Sequence, residues 1–137
     1  MKKKVNGLEE TMKLANDFAA KLNGGEVVLL NGDLGAGKTT FTQFVFKALG
    51  VKEVVSSPTF AILKSYEGKF KLHHFDTYRI TTEEAIEAGF DEVINEKGSI
   101  KFIEWSENIQ PLLPKKTIGI NITHINENER EFEIIHE

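Results

Sequence analysis

The sequence lacks cysteine, long apolar runs and all but two arginines. The absence of cysteine excludes disulfides, a thiol nucleophile and a zinc site built on thiolates, and it agrees with a reducing compartment. No apolar run approaches the ~18 residues of a membrane-spanning helix. The lysines at positions 2–4 precede no apolar segment of the kind that forms a signal peptide. We therefore expect a soluble, cytoplasmic protein that does not enter a membrane.

An excess of positive charge is also missing, because 17 basic side chains face 21 acidic ones and the net charge is −4. A mildly acidic chain does not attract RNA or DNA by charge alone. If nucleic acid is involved, we expect a partner to hold it. The length of 137 residues suits one domain, and without repeats or linkers we interpret residues 1–137 as that domain.

The apolar spacing predicts an α/β fold with a mixed, mainly parallel central sheet and a strand-rich C-terminal part. Residues 26–30 read EVVLL, a short run rich in valine and leucine, which is typical of a strand buried on both faces. The predicted helices cover residues 7–22, 38–50 and 81–89, the last capped by Thr81 or Thr82. The predicted strands cover residues 26–30, 60–66, 69–75, 99–105, 117–125 and 131–137.

Residues 32–39 match the phosphate-binding pattern G-x-x-x-x-G-K-T in full. The segment follows an apolar strand and opens a helix, a context in which backbone N–H groups surround phosphate oxygens. Lys38 would bring a positive charge to the β- and γ-phosphates, and the Thr39 hydroxyl would bind Mg²⁺. The residues expected to bind the nucleotide here are Asp33, Gly35, Ala36, Gly37, Lys38, Thr39 and Thr40.

Two acidic residues end apolar strands and are candidates for the second magnesium ligand. Glu104 follows the more apolar strand, so we expect it to reach Mg²⁺, and Asp76 would then orient or deprotonate the attacking water. Either acid could instead be a surface charge at a strand end. Trp105 would point to the opposite sheet face from Glu104, because successive residues of a strand alternate, and a lone tryptophan more often belongs to a core.

The other polar residues are less decisive. His73 and His74 are adjacent, so on a strand they face opposite sides and do not share a metal ion. Residues 56–60 contain Ser57 and Thr59 beside a proline, and they form either a switch loop that closes over the γ-phosphate or an ordinary connection.

Three functions share the phosphate loop. No N-K-x-D segment is present to recognise guanine, which favours ATP over GTP. A small-molecule kinase is possible, although two arginines are few for clamping two phosphorylated substrates. A nucleotide-gated binding module without significant hydrolysis is the third possibility. The function that the residues favour at this point is an Mg²⁺-dependent ATPase.

Four motifs in order, GDLGAGKTTF, SPTF, HFDTYR and IEW, resemble the bacterial TsaE (YjeE) family between about residues 26 and 105. The resemblance implies a P-loop NTPase-like, three-layer domain. It also implies that the protein is an accessory subunit, weakly active alone, that binds and hydrolyses ATP during threonylcarbamoyladenosine modification of tRNA. The partners would be TsaB and TsaD, with tRNA held by the complex rather than by this chain.

The resemblance also implies roles for single residues. Lys38 and Thr39 would be the phosphate and Mg²⁺ residues, and Glu104 the second Mg²⁺ ligand. Asp76 and Trp105 would be needed for activity. Thr11 and Arg130 would flank the adenine. The residues expected at a partner or switch surface are Ser57, Thr59, Tyr78, Arg79 and Trp105.

Overall fold

A computed structural model describes residues 1–33, 35–55 and 63–136 of the chain. It contains seven strands, four α-helices and one 3₁₀ helix among those residues. The elements in chain order are β1 (Lys2–Asn6), α1 (Gly7–Ala20), β2 (Val27–Asn31), α2 (Lys38–Ala48), β3 (Leu63–Glu67), β4 (Lys71–Asp76), α3 (Thr82–Glu87), α4 (Phe90–Ile94), β5 (Ile100–Glu104), the 3₁₀ helix (Ser106–Leu112), β6 (Ile118–His124) and β7 (Glu129–His136).

One sheet joins the seven strands in the order β1-β7-β6-β2-β5-β4-β3. The four central strands β6, β2, β5 and β4 are parallel to one another. The outer pairs β1–β7, β7–β6 and β4–β3 are antiparallel. The sheet is therefore mixed, with its parallel part at the centre and antiparallel strands added at both edges.

Helices cover both faces of the sheet. The side chains of each central strand therefore alternate between two cores. Val28 and Leu30 of β2 belong to the core under α1 and α2, whereas Val27 belongs to the core under α3, α4 and the 3₁₀ helix. The ring of Phe46 in α2 meets that of Phe102 in β5 edge-on at 5.1 Å. Contacts of this kind fix α2, and the loop before it, against the middle of the sheet.

The α/β fold class and its three layers are confirmed. The 81–89 helix exists as α3, and Thr81 is its cap, paired with Glu84 in a reciprocal capping box. Two elements were not expected from the sequence, namely β1 at the sheet edge and the five-residue α4.

The parallel register places the ends of three strands at one edge of the sheet. Asp76 at the end of β4 pairs with Glu104 at the end of β5. On its other side, Glu104 pairs with Leu30 of β2, which lies just before the phosphate loop. Ligands of open α/β sheets bind at this carboxyl edge, so the fold brings the predicted residues together. No helix among the described residues is long and apolar enough to cross a membrane.

Candidate functional site

The phosphate loop presents its backbone to a hollow. Gly35 and Gly37 have φ angles of 80° and 112°, and a Cβ added at either position would meet no atom within 4 Å. At Gly32, by contrast, a Cβ would lie 2.7 Å from the carbonyl oxygen of Ile122. Gly32 is therefore needed for packing against β6, whereas Gly35 and Gly37 leave open space beside the backbone. Ala36 is buried and donates its N–H to the Asp33 carbonyl at 3.0 Å.

Helix α2 begins directly after the loop, and its N-terminal end is uncapped. Gly37 is its N-cap in a left-handed conformation, and within this fully described helix no side chain caps the end and no acidic residue occupies the first turn. The first N–H groups of a helix lack intrahelical partners and carry partial positive charge. Their arrangement beside Gly35 and Gly37 suits an anion such as phosphate.

Lys38 and Glu104 face each other in the interior of the site. Lys38 is only 6% exposed and its Nζ lies 3.8 Å from Oε1 of Glu104. The same Nζ lies 4.7 Å from the centre of the Trp105 ring, a cation–π contact. The lysine charge is thus balanced by a buried carboxylate and an aromatic face.

A cavity of about 240 Å³ joins the loop to both strand-end acids. Asp76 is partly exposed, and its Oδ1 accepts the N–H of Tyr78 at 3.0 Å. The cavity is lined by Gly35, Gly37, Lys38, Thr39, Thr40, Asp76, Glu104 and Trp105. The structure therefore brings both predicted carboxylates within one hollow with the predicted phosphate and magnesium residues.

The predicted orientation of Trp105 is wrong. Strand β5 ends at Glu104, and Trp105 has a left-handed backbone with φ 61° and ψ 41°. Thr77 holds this turn, because its Oγ1 donates toward the carbonyl oxygens of Glu104 at 2.9 Å and Trp105 at 2.6 Å. The turn brings the indole to the same side as Glu104, where it lines the cavity instead of joining the opposite core.

Two further predicted residues lie just outside the cavity. The Tyr78 ring packs 4.7 Å from the Trp105 ring, and the Arg79 guanidinium lies 5.9 Å from the Tyr78 ring. Tyr78 is 54% exposed and Arg79 is exposed as well. They form a surface beside the cavity rather than part of its lining. Ser57 and Thr59 lie outside the described residues.

A second cavity of about 260 Å³ contains Thr11 and Arg130. It shares Gly35, Gly37 and Thr40 with the first cavity, so the two are neighbours across the phosphate loop. Arg130 donates from Nε to the Ala36 carbonyl at 3.2 Å, which ties β7 to the loop. The cavity is also lined by residues that were not predicted from the sequence, namely Gly7, Leu8, Glu127, Asn128 and Phe132.

Two buried residues beside the site were also missed. His74 contacts Glu104, with Nε2 2.7 Å from Oε2, and Thr77 holds the turn after β5. The pattern H-x-D-T was visible in the sequence, but its link to Glu104 depends on the β4–β5 register. The alternation of β4 carried a signal, since it puts His74 and Asp76 on one face.

The fold and the phosphate loop define a P-loop NTPase-like protein. Within that class, the chain belongs to the TsaE family: the family model "Threonylcarbamoyl adenosine biosynthesis protein TsaE" matches residues 5–132. The chain is 43% identical to the tRNA threonylcarbamoyladenosine biosynthesis protein TsaE of Rickettsia felis, over 96% of this chain and 77% of the relative. It is 41% identical to the Bacillus subtilis protein of the same name, over 90% of this chain and 77% of the relative.

A solved structure agrees with this assignment. The crystal structure of Bacillus subtilis YdiB matches with a TM-score of 0.81 and 36% sequence identity. The match covers 96% of this chain and 82% of that chain.

Proposed function

We propose that this chain binds ATP with Mg²⁺ and hydrolyses it as an accessory subunit in tRNA threonylcarbamoyladenosine biosynthesis, acting with TsaB and TsaD. The observation that carries the proposal is the single cavity in which the phosphate loop meets Asp76 and Glu104. Membership of the TsaE family supports the role in tRNA modification. With a net charge of −4, the chain depends on its partners to hold tRNA.

The residues present fit the phosphates of a nucleotide. The open positions at Gly35 and Gly37 expose backbone N–H groups, and the uncapped start of α2 adds its positive end. Lys38 lies at the same end and supplies a full charge. The hollow thus combines the donors and the charge that a triphosphate requires.

The residues also fit Mg²⁺. No group of three or more His, Asp or Glu side chains capable of holding a metal occurs in the described part of the chain. Mg²⁺ bound with a nucleotide needs only one or two protein ligands, because phosphate oxygens and water complete its shell. The Thr39 hydroxyl and the Glu104 carboxylate share the cavity and would hold the ion. The ion would neutralise charge on the phosphate oxygens.

The two carboxylates have different surroundings, which separates their roles. Glu104 is 6% exposed and contacts both His74 and Lys38. Asp76 is partly exposed, and its Oδ1 accepts a hydrogen bond from the Tyr78 N–H. Asp76 is therefore the better placed of the two to orient or deprotonate a water molecule. Glu104 would serve the metal.

The second cavity suits the nucleoside. It adjoins the phosphate loop and is lined by Thr11, Arg130, and apolar groups of Leu8 and Phe132. We assign adenine to this cavity, between the start of α1 and the β6–β7 turn. The exposed surface of Tyr78 and Arg79, continued by Trp105, would face the partner proteins.

Replacing the buried acid tests the proposal most simply. In Glu104→Gln the side-chain volume and the acceptor for His74 are kept, but the charge that would hold Mg²⁺ is lost. Phosphate release from Mg²⁺-ATP should fall by more than about tenfold, while nucleotide binding measured by calorimetry persists. Glu67→Gln is the matched control, because Glu67 is an exposed glutamate at the end of β3.

Two outcomes would contradict the assignment. Equal turnover in Glu104→Gln and the wild type would remove Glu104 from the mechanism. Transfer of labelled γ-phosphate to a metabolite instead of water would identify a small-molecule kinase.

A further inference from the structure

A buried histidine holds one oxygen of Glu104. His74 is 0% exposed, and its Nε2 lies 2.7 Å from Glu104 Oε2. In the proposed role as a Mg²⁺ ligand, Glu104 is a carboxylate that only accepts hydrogen bonds, and Nε2 of His74 would then carry the hydrogen and donate it. The other oxygen, Oε1, lies 3.8 Å from Lys38 Nζ. The two oxygens of Glu104 are thus distinguished by their partners.

The rest of the imidazole ring makes no comparable polar contact. Its Nδ1 is buried without a hydrogen-bond partner among the described residues, and the ring meets Phe46 edge-on at 6.2 Å. Burying a polar atom without a partner is unfavourable, and an apolar side chain would avoid that cost here. The polar contact that favours histidine at this position is the one with Glu104.

The strands give this contact a fixed geometry. In the parallel pairing of β4 with β5, His74 is opposite Phe102, and Asp76 is opposite Glu104. His74 therefore lies on the same sheet face as Glu104, one step further from the cavity. Because both residues belong to central strands, the donor is held by backbone hydrogen bonds rather than by a loop.

We propose that His74 is a positioning residue that fixes the Glu104 carboxylate through Oε2 and so directs Oε1 toward Lys38 and the cavity. This inference rests on the proposed function, in which Glu104 holds Mg²⁺. Without the donor, Oε2 would be a buried carboxylate oxygen without a partner, and the side chain would rotate toward Lys38 or solvent. Loss of such outer partners weakens a metal site by about 10- to 100-fold.

A pair of variants of equal length separates the hydrogen bond from packing. His74→Gln retains an N–H donor at similar reach, whereas His74→Met fills the space without one. His74→Met should raise the Mg²⁺ concentration for half-maximal phosphate release by about 10-fold or more and leave the KM for ATP at saturating Mg²⁺ nearly unchanged. His74→Gln should recover part of the loss. His124→Met, at an exposed histidine, is the matched control.

A measurement on the protein alone keeps this test separate from the proposed function. In ¹H–¹⁵N spectra of the ring nitrogens, His74 should show a slowly exchanging Nε2–H whose resonance shifts in Glu104→Gln. The inference is overturned if Nε2 carries no hydrogen, or if Gln and Met at position 74 give the same Mg²⁺ dependence. If the wild type shows the slowly exchanging proton but hydrolyses no ATP, the proposed function fails while the contact stands. If both variants unfold, the wild-type spectrum decides.

Discussion

Trp105 illustrates how one residue's backbone shapes the site. It is the only non-glycine residue with positive φ in the described part of the chain. Such a conformation costs about 1–3 kcal/mol for a bulky residue and persists only when neighbouring groups hold it. As a result, the indole lies against Lys38 instead of in the opposite core.

Thr77 holds this turn, and its removal should be measurable. The hydroxyl is buried and lies within hydrogen-bond distance of the Glu104 and Trp105 carbonyls. Thr77→Val keeps the shape but removes the hydroxyl donor, while each carbonyl keeps a backbone donor, the Thr77 N–H for Glu104 and the Asn108 N–H for Trp105. We therefore expect the free energy of unfolding to fall by about 0.5–1.5 kcal/mol, the net contribution of one hydrogen bond. Urea unfolding followed by circular dichroism would measure the change.

Thr77→Ser is the control for this prediction, since it loses a methyl group and keeps the hydroxyl. It should be the more stable of the two variants. A Val variant as stable as the Ser variant would show that the hydroxyl does not hold the turn.

At the scale of elements, a helix or strand could be predicted where its apolar pattern lies within its own segment of the sequence. Residues 26–30 were predicted to form a buried strand because the run is rich in valine and leucine. The strand exists as β2 and lies between β5 and β6. Helix α1 followed from its apolar spacing. Strand β1 was missed because its sequence KKKVN has one buried residue, Val5, and is held by pairing with β7 at the far end of the chain.

The residues of the site likewise divide into those that the sequence could predict and those that it could not. The phosphate loop and the two strand-end acids could be predicted, because each depends on its own segment. His74 and Thr77 could not be linked to Glu104, because that needs the parallel register between β4 and β5. The orientation of Trp105 was wrong because strand alternation was extended by one residue beyond the strand end.

At the scale of the whole molecule, strand order brings the start of α1 and the β6–β7 turn, which are far apart in the sequence, to the phosphate loop. Strand β1 pairs with β7, and the N–H of Gly7 bonds to the Asn128 carbonyl at 2.8 Å. The start of α1 and the β6–β7 turn thus form the second cavity together. This cavity is lined by residues more than a hundred positions apart, so it forms only when the whole sheet is assembled.

Lys101 gives the folded molecule a pH-dependent stability. It is 1% exposed and donates from Nζ to the Glu96 carbonyl. Burial lowers the pKa of Lys101 below its ordinary value of 10.5, although the charges of Glu96 and Glu26 oppose the shift. Between the lowered pKa and 10.5 the unfolded chain binds more protons, so this residue makes stability rise with pH.

Replacing Lys101 should remove that contribution. In Lys101→Met the free energy of unfolding should rise less between neutral pH and pH 10.5 than in the wild type, as measured by urea unfolding at several pH values. Lys115→Met is the control, because Lys115 is exposed. Identical pH profiles for Lys101→Met and the wild type would mean that the buried amine does not titrate abnormally.

The central claim is that the chain cleaves ATP as part of a shared cycle, and phosphate release tests it most directly. The rate from Mg²⁺-ATP should be measured for the protein alone, then with purified TsaB and TsaD, and then with tRNA added. We predict a low rate alone that rises sharply with the partners. A rate that stays at the level of the protein alone under all three conditions would contradict the account.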